Sequence, residues 1–409
     1  MLSTPSFRPS VLMAALVVLP LAGCEKAPAP KPVKPVEPVK PKPEPKPKGP
    51  SLLDNPKSCK TCHAQVVAEW EDSLHARAHH GADPIYGAMR ALRVKKQGEA
   101  ITGKCSKCHN PRDLKDPESA VAQTGVSCAA CHNVKAVHLD RGLGADALDW
   151  DKRMRVRSAR DLRPGASSKH KTGKALAAMA DGRTLCLACH GEVKTPADQP
   201  ACTTGPEADS LAARASCVSC HMPELDGPSG VVSKRRTHRS HRFPGPHRAF
   251  THDDPSVLKA AVKLSGELKG KTLTVKLQNV SGHAFPTGFP GRMAVLSVEA
   301  LDDKDALIWA NWNKNAMAEA PDSVFNKVYV DKDGKPAPAA FATELKRDNR
   351  LKPAETRELS FTLPKVPAVV VVSLRFHLLP PPLAQTLGIA DKPEGGSVEV
   401  LAIEVAPGS

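Results

Sequence analysis

The sequence predicts an α+β protein in two parts: short helices and loops over residues 51–255, then an antiparallel β-sandwich over residues 256–409. Three observations predict this fold. Five Cys-x-x-Cys-His motifs crowd the first part. Apolar and polar residues alternate in several runs of the second part, a period typical of strands. Clusters of Asp, Gly and Pro separate those runs, as the turns of an antiparallel sheet require.

The composition excludes several classes of protein. The 409 residues are 41% hydrophobic, which is close to the globular average and excludes a disordered chain. Only one apolar run approaches the length of a bilayer span, which excludes a polytopic membrane protein. The net charge of +15 favours contact with membranes or acidic groups. We expect part of this charge to balance anionic groups held inside the protein, and we expect no nucleic-acid partner.

Residues 1–23 predict a bacterial export signal. The apolar stretch Val11–Leu21 is about half as long as a bilayer span, as in a signal peptide. It ends in Leu21-Ala22-Gly23-Cys24, which resembles a lipobox, so we expect lipidation of Cys24. The alternative is an ordinary secretory cleavage site. Residues 24–50, rich in Pro and Lys, predict a tether. We therefore expect a lipid-anchored protein of the periplasm or cell surface, preferentially at the outer membrane.

The five Cys-x-x-Cys-His motifs predict covalent attachment of five c-type haems. Two thiols separated by two residues reach the two vinyl groups on one porphyrin edge, and the following His then lies under the iron. Zinc would need ligands grouped in fours, which five separate and complete motifs do not provide. The attachment residues, with the proximal histidine last in each motif, are Cys59, Cys62 and His63; Cys105, Cys108 and His109; Cys128, Cys131 and His132; Cys186, Cys189 and His190; and Cys217, Cys220 and His221.

Five porphyrins also account for the scarcity of aromatic side chains, which form only 4% of the sequence. Porphyrins supply flat apolar bodies to the core, so we expect folding to be coupled to haem attachment. Their propionate carboxylates need basic partners. Candidates are Arg153, Arg155, Arg157, Arg160, Arg163 and the run Lys234-Arg235-Arg236.

Three motifs resemble those of a known superfamily. They are Trp70-x-x-Ser73-x-His75-Ala76, Gly125-Val-Ser-Cys128 and Cys220-His221-Met222-Pro223. They are similar to motifs of multihaem cytochromes grouped around hydroxylamine oxidoreductase, pentahaem nitrite reductase and their small electron carriers. The resemblance implies that His75 is a distal haem ligand. No motif ends in Lys, as the active haem of pentahaem nitrite reductases requires, and only Tyr86 could replace the cross-linked tyrosine of hydroxylamine oxidoreductases. The resemblance therefore covers the haem scaffold and not the catalysis, and we assign no catalytic residue.

Eleven histidines remain after the five proximal ones, enough to give every iron a second imidazole. The segments His241–His247 and Gly282–Gly288 resemble parts of multihaem proteins with a C-terminal β domain. Their Pro and Gly residues predict tight turns that present an imidazole rigidly. The candidate distal ligands are His75, His138, His241, His247 and His283, with His79 and His170 in reserve. We expect a structural role for His377.

The C-terminal part predicts about seven strands in an immunoglobulin-like sandwich. The predicted strands are 273–280, 293–301, 306–312, 357–363, 368–379 and 398–405. In the first part, 64–80 and 175–190 predict helices. Cys202 stands outside every motif, as a loop residue, a free thiol or one half of an intermolecular disulfide.

The leading functional hypothesis is an electron carrier that passes electrons across the periplasm or outer envelope by Fe(III)/Fe(II) cycling of mostly bis-His haems. Its expected partners are redox proteins, either other cytochromes or a quinol-oxidising membrane complex. Two alternatives stay open. One is an oxidoreductase with one five-coordinate haem that acts on a small nitrogen or sulfur species. The other is a haem-bearing docking subunit of a membrane redox complex.

Overall fold

Short helices surround the five motifs, and strands dominate after Ala261. The computed structural model describes residues 51–162, 170–210 and 216–408. The predicted export signal, Cys24 and the tether lie outside the described residues. The described residues belong to one compact unit. The α+β class predicted from the sequence is confirmed, with the sheets concentrated in the C-terminal part.

The helices that precede Val262 are mostly one or two turns long. They are α1 (Lys57–Lys60), α2 (Ala64–Glu71), α3 (Pro84–Gln97), α4 (Thr102–His109), α5 (Cys128–His132), α6 (Ala177–Ala180), α7 (Thr184–His190), α8 (Thr204–Asp209), α9 (Cys217–His221), α10 (Arg248–Thr251) and α11 (Ser256–Ala261). Two more lie among the later strands, α12 (Ala316–Glu319) and α13 (Pro381–Thr386).

The strands of the first part form three small antiparallel pairs, β1 with β2, β3 with β4 and β5 with β6. They are β1 (Val134–Val137), β2 (Leu148–Trp150), β3 (Val193–Lys194), β4 (Pro200–Cys202), β5 (Glu224–Asp226) and β6 (Thr237–Arg239). The strands of the second part are β7 (Val262–Lys269), β8 (Thr272–Asn279), β9 (Met293–Leu301), β10 (Leu307–Ala310), β11 (Val324–Phe325), β12 (Lys327–Val330), β13 (Glu344–Asp348), β14 (Thr356–Thr362), β15 (Val369–His377) and β16 (Val398–Val405).

Two antiparallel sheets of the second part share one core. The first has the order β14-β8-β7 and the second the order β10-β9-β15-β16, with β11 also paired to β9. Leu273, Val275 and Leu277 of β8 alternate with exposed or half-buried residues and pack into the same cluster as Val298 and Val372 of the second sheet. Each such side chain, once buried, contributes about 1.5–3 kcal/mol. The immunoglobulin-like topology stays a prediction.

The two longer predicted helices end early in the structure. Helix α2 stops at Glu71, and a turn in which Ser73 donates its hydroxyl to the carbonyl of Trp70 follows. The predicted helix over 175–190 is divided into α6 and α7 at Gly182, whose φ of 66° interrupts the helix. The candidate ligand His75 follows the first interruption, and Cys186, the first cysteine of the fourth motif, follows the second. Within the described residues, no helix has both the length and the apolar character needed to cross a bilayer.

Candidate haem-binding site

All five motifs line one continuous cavity of about 3800 Å³. An ordinary pocket for one small ligand measures about 300–1000 Å³, so this cavity has room for several large groups. Four of the motifs lie within or end a helix, namely α4, α5, α7 and α9, and the first begins inside α1 and ends directly before α2. One helical turn places the two cysteines and the histidine on adjoining positions of one surface, as attachment to a single porphyrin requires.

Four of the five proximal imidazoles are oriented by backbone carbonyls. Nδ1 of His63 lies 2.6 Å from the carbonyl oxygen of Ser229, and Nδ1 of His132 lies 2.7 Å from that of Arg157. Since a carbonyl can only accept, each Nδ1 carries the proton. The unprotonated Nε2 is then the atom left to bind iron. His109 and His221 make the same contact, with the carbonyls of Ala78 and Pro244.

Four of the five proximal histidines face a second histidine, and the distance between ring centres is nearly the same in all four pairs. The ring centres lie 6.3 Å apart for His63 and His170, 6.1 Å for His132 and His241, 6.2 Å for His190 and His75, and 6.4 Å for His221 and His283. In three pairs the ring planes are close to parallel, with angles of 23–25° between them, and in the His75–His190 pair the angle is 46°.

These separations fit one iron between each pair of rings. Two imidazole–metal bonds of about 2.0–2.1 Å, plus about 1.1 Å from each nitrogen to its ring centre, place the centres roughly 6.2–6.4 Å apart. Direct stacking or hydrogen bonding would bring the rings much closer. The described residues therefore fit haem iron ligated by two histidines at four of the five motifs.

Electrostatics hold these imidazoles in the neutral form that binds metal. Burial, followed by the nearby His190, lowers the pKa of His75 to about 3. Burial and the neighbouring His221 lower the pKa of His190 to about 4. Burial and His132 lower the pKa of His241 to about 4. Neutral ligands at physiological pH follow from this.

His109 is the exception among the proximal histidines. No histidine ring of the described residues lies opposite it as in the other four pairs. Tyr86 instead stacks on the His109 ring, with centres 3.7 Å apart and planes 18° apart. Burial raises the pKa of Tyr86, and its buried hydroxyl has no hydrogen-bond partner among the described residues. The Tyr86 contact was not predicted from the sequence.

The motifs touch one another through their cysteines. The thiol of Cys59 contacts that of Cys128, which joins the first motif to the third. Cys189 contacts Cys108, and Cys186 contacts Cys217, so the fourth motif touches both the second and the fifth. The ring of Phe243 lies between the third and fourth motifs, since its centre is 5.8 Å from that of His241 and 4.4 Å from that of His75. The motifs therefore follow the order first, third and fourth, with the second and fifth beside the fourth.

The structure brings some distal candidates to a proximal partner and not others. His75, His241 and His283 are paired, and the reserve His170 takes the position facing His63. Neither His138 nor His247 faces a proximal histidine. Nε2 of His138 lies 3.3 Å from the Asp149 carboxylate at the surface.

The remaining histidine and cysteine predictions fall on ordinary packing positions. His79 hydrogen bonds to the Pro117 carbonyl and the Gly81 N–H, so both ring nitrogens are engaged. His377 lies half-buried on β15, where burial and Arg375 lower its pKa to about 4. Cys202 ends β4, and its sulfur lies 3.6 Å from the Thr204 hydroxyl.

A buried ion pair behind His241 escaped sequence analysis. Nε2 of His238 lies 2.9 Å from Oε1 of Glu69, and the two side chains are 2% and 3% exposed. Nδ1 of His238 lies 2.9 Å from the Gly227 carbonyl. Both ring nitrogens of His238 therefore face an oxygen atom that can accept a hydrogen bond. The other oxygen of Glu69 accepts the backbone N–H of His241 at 2.9 Å, so this pair fixes the backbone of a candidate ligand.

Comparisons with known proteins agree with this site. A family model described as cytochrome c554 and c-prime matches residues 58–133 and 144–222, the segments that hold the five motifs. No curated protein matches the chain. The crystal structure of a penta-heme cytochrome c552 from Thermochromatium tepidum is similar, with 25% identity and a TM-score of 0.71. The likeness covers 85% of this chain and 97% of that chain, which is too large a share for the motif region alone.

The motifs, the paired histidines and the two likenesses define the class of this protein. It is a multihaem c-type cytochrome that transfers electrons and carries multiple covalently bound haem c groups. The haem attachment predicted from the motifs is confirmed.

Proposed function

We propose that this protein is an exported, lipid-anchored pentahaem cytochrome that relays electrons across the periplasm to an acceptor at the outer envelope. The observation that carries the proposal is the set of four histidine pairs with ring centres 6.1–6.4 Å apart. Two imidazoles saturate an iron and favour electron transfer over substrate binding. The haems supply one-electron Fe(III)/Fe(II) chemistry, and the polypeptide ligates, spaces and shields them.

The contacts between motifs support a relay. The third and fourth motifs lie in the middle, with the first motif at one end and the second and fifth at the other. Such an order provides an entry near His63 and exits near His109 and His221. Other cytochromes or a quinol-oxidising membrane complex are the proposed donors.

Low-temperature EPR of the oxidised protein tests the relay. Four low-spin ferric haems with histidine ligation are expected, and rapid mixing with a reduced cytochrome should reduce them in sequence. High-spin signals at two or more haems would contradict the proposal. The matched variant is His138→Ala, which removes a surface histidine and should leave the low-spin intensity unchanged.

Export and anchoring depend on the sequence Leu21-Ala22-Gly23-Cys24. Two or more acyl chains on Cys24 suffice for stable anchoring. Expression of Cys24→Ser should move the protein from the membrane fraction to the soluble periplasm with its haem content intact. Intact mass would show the loss of the acyl groups. A wild-type protein that is already soluble and unacylated would contradict anchoring while leaving the relay untouched.

A second candidate function is an oxidoreductase acting at the second motif. The observation that favours it is Tyr86 stacked on His109 where the other motifs have a facing histidine. A haem without a sixth ligand from the protein can bind a small nitrogen or sulfur species. A high-spin ferric EPR signal that shifts with nitrite or hydroxylamine, together with turnover, would favour this function. A signal insensitive to both compounds would exclude it.

The sheets over residues 262–405 are proposed to form an immunoglobulin-like sandwich that covers one side of the haem array. Its closeness to the haems is supported by His283, which precedes β9 and faces His221 at 6.4 Å. Lys327 adds a second link by donating to the carbonyl of Ala201 at 2.9 Å.

A further inference from the structure

Three basic side chains line the haem cavity with polar atoms that have no acidic partner. Nε and Nη2 of Arg77 are buried without a hydrogen-bond partner among the described residues, and so is Nε2 of His247. Arg292 donates Nη1 to the carbonyl of Thr287 at 2.8 Å. No carboxylate of the described residues forms an ion pair with Arg77 or Arg292.

These side chains lie close together. Arg248, which follows His247, pairs with Asp72 at 2.6 Å, five residues before Arg77. Burial, followed by the charges of Arg292 and Arg77, lowers the pKa of His247 to about 3. Arg248 also acts on His247, but its own charge is balanced by Asp72 at 2.6 Å and Asp254 at 2.9 Å. The uncompensated positive charge around His247 therefore belongs to Arg77 and Arg292.

The turn at Gly288 makes room for Arg292. The φ of Gly288 is 83°, and a Cβ atom there would lie 2.6 Å from Nη1 of Arg292. Any other residue would strain the backbone and displace the guanidinium. The cavity and the turn at Gly288 together leave space for the Arg292 guanidinium.

Two unpaired guanidiniums in an apolar cavity require an anion. Arginine does not lose its proton inside proteins, so burial cannot be relieved by neutralisation. An unpaired charge taken out of water is strongly unfavourable. The planar guanidinium binds a carboxylate through two parallel hydrogen bonds.

Two histidine pairs lie beside the cluster. Arg77 follows the candidate ligand His75 by two residues, and the ring centre of Phe243, four residues before His247, lies 4.4 Å from that of His75. On the other side, Arg292 donates to the carbonyl of Thr287, four residues after His283. The cluster therefore lies next to the His75–His190 pair and the His221–His283 pair.

We propose that Arg77, Arg292 and His247 bind propionate carboxylates of the haems attached at the fourth and fifth motifs. His247 then serves as a hydrogen-bond donor to a carboxylate and not as an iron ligand. Of the arginines predicted for this role from the sequence, Arg157 lies 2.6 Å and Arg155 4.0 Å from Asp151, and Arg163 lies outside the described residues. This inference depends on haem attachment and is independent of the relay and of lipid anchoring.

The reduction potential of a single haem tests the proposal. In Arg77→Gln and in Arg292→Gln, the loss of one positive charge should favour the ferric form and lower the potential of one low-spin haem. Potentiometric titration followed by EPR resolves this haem from the others. Arg77→Lys and Arg292→Lys keep the charge and should hold the potential near that of the wild type, and they remain usable if the Gln variants fold poorly. Lys263→Gln, an exposed cation on β7, is the matched control and should change nothing.

Three results would overturn the proposal. Potentials unchanged in both Gln variants would show that neither arginine contacts the haem carboxylates. Loss of one low-spin signal in His247→Ala would make His247 an iron ligand. A wild-type spectrum that shifts with added nitrite or phosphate, and no longer does so in Arg292→Gln, would assign the cluster to a free anion. The propionate bending bands in resonance Raman spectra should shift in the Gln variants of both arginines and stay in place with Lys263→Gln.

Discussion

Glu207 of α8 and Arg350 form a buried ion pair with 2.7 Å between Oε1 and Nη1. The other carboxylate oxygen of Glu207 accepts the backbone N–H of Ala284 and the hydroxyl of Thr287. Ala284 directly follows His283, so a carboxylate of the motif region holds the loop that presents a candidate ligand from the sheet region. This pair joins the two parts of the protein at the fifth haem.

Removal of Glu207 should loosen the ligation opposite His221. In Glu207→Ala the Ala284 N–H loses its acceptor, and Arg350 keeps Asp348 as its acidic partner. We therefore expect a loss of about 3 kcal/mol in the free energy of unfolding. EPR should show part of one low-spin haem converted to high spin. Glu358→Gln removes an exposed carboxylate paired with Lys276 and serves as the control. Full low-spin intensity in Glu207→Ala would show that the pair does not position His283.

Each paired distal histidine should control one haem. His170→Ala, His241→Ala and His283→Ala should each remove about a quarter of the low-spin intensity from bis-His haems, because a single imidazole leaves the iron high-spin or open. The haem content measured as pyridine haemochrome should stay constant, since the cysteines are intact. If His170→Ala left the EPR spectrum unchanged, another group would ligate the first haem.

The contribution of Asp254 to the stability of the protein should decrease at acid pH. Hydrogen bonds from Ser256 and Arg248 lower the pKa of Asp254 to about 2, against an ordinary value near 3.8. A carboxyl group with a lowered folded-state pKa contributes stability above its unfolded pKa and loses it as pH falls through the folded pKa. Asp254→Asn should therefore unfold at a lower temperature than wild type at pH 6, and the difference should close between pH 4 and pH 2. A difference that is constant over this range would argue against the ionised carboxylate as its source.

Sequence analysis predicted the features whose chemistry is local. A Cys-x-x-Cys-His motif contains every atom needed to attach a haem, so five residues suffice to identify it. Strands β9 and β16 were predicted with their observed bounds, because the alternation of apolar and polar residues along a strand indicates which of its faces is buried.

Sequence analysis could not predict the features that depend on residues far apart in the sequence. His170 and His63 are 107 positions apart in the printed sequence, and nothing near His170 indicates which iron it faces. His138 lies only six residues beyond a motif, yet the strand that follows His132 directs it to Asp149 at the surface. Glu69 and His238 have ordinary sequence surroundings, and only the fold brings them together.

Preventing haem attachment should separate the behaviour of the two parts. The motif region surrounds a cavity of about 3800 Å³, and among its described residues the apolar cluster around Val134 is small, so without porphyrins it lacks most of its core. The sheet region has its own core, which includes Leu273, Leu296 and Phe376. Protein made without a cytochrome-maturation system should therefore keep its strand signal in circular dichroism. Limited proteolysis should digest residues 51–255 and leave a resistant fragment over 262–405. Equal resistance of both regions would show that the motif region folds without its haems, and rapid digestion of both would show that the sheet region needs the haem array as support.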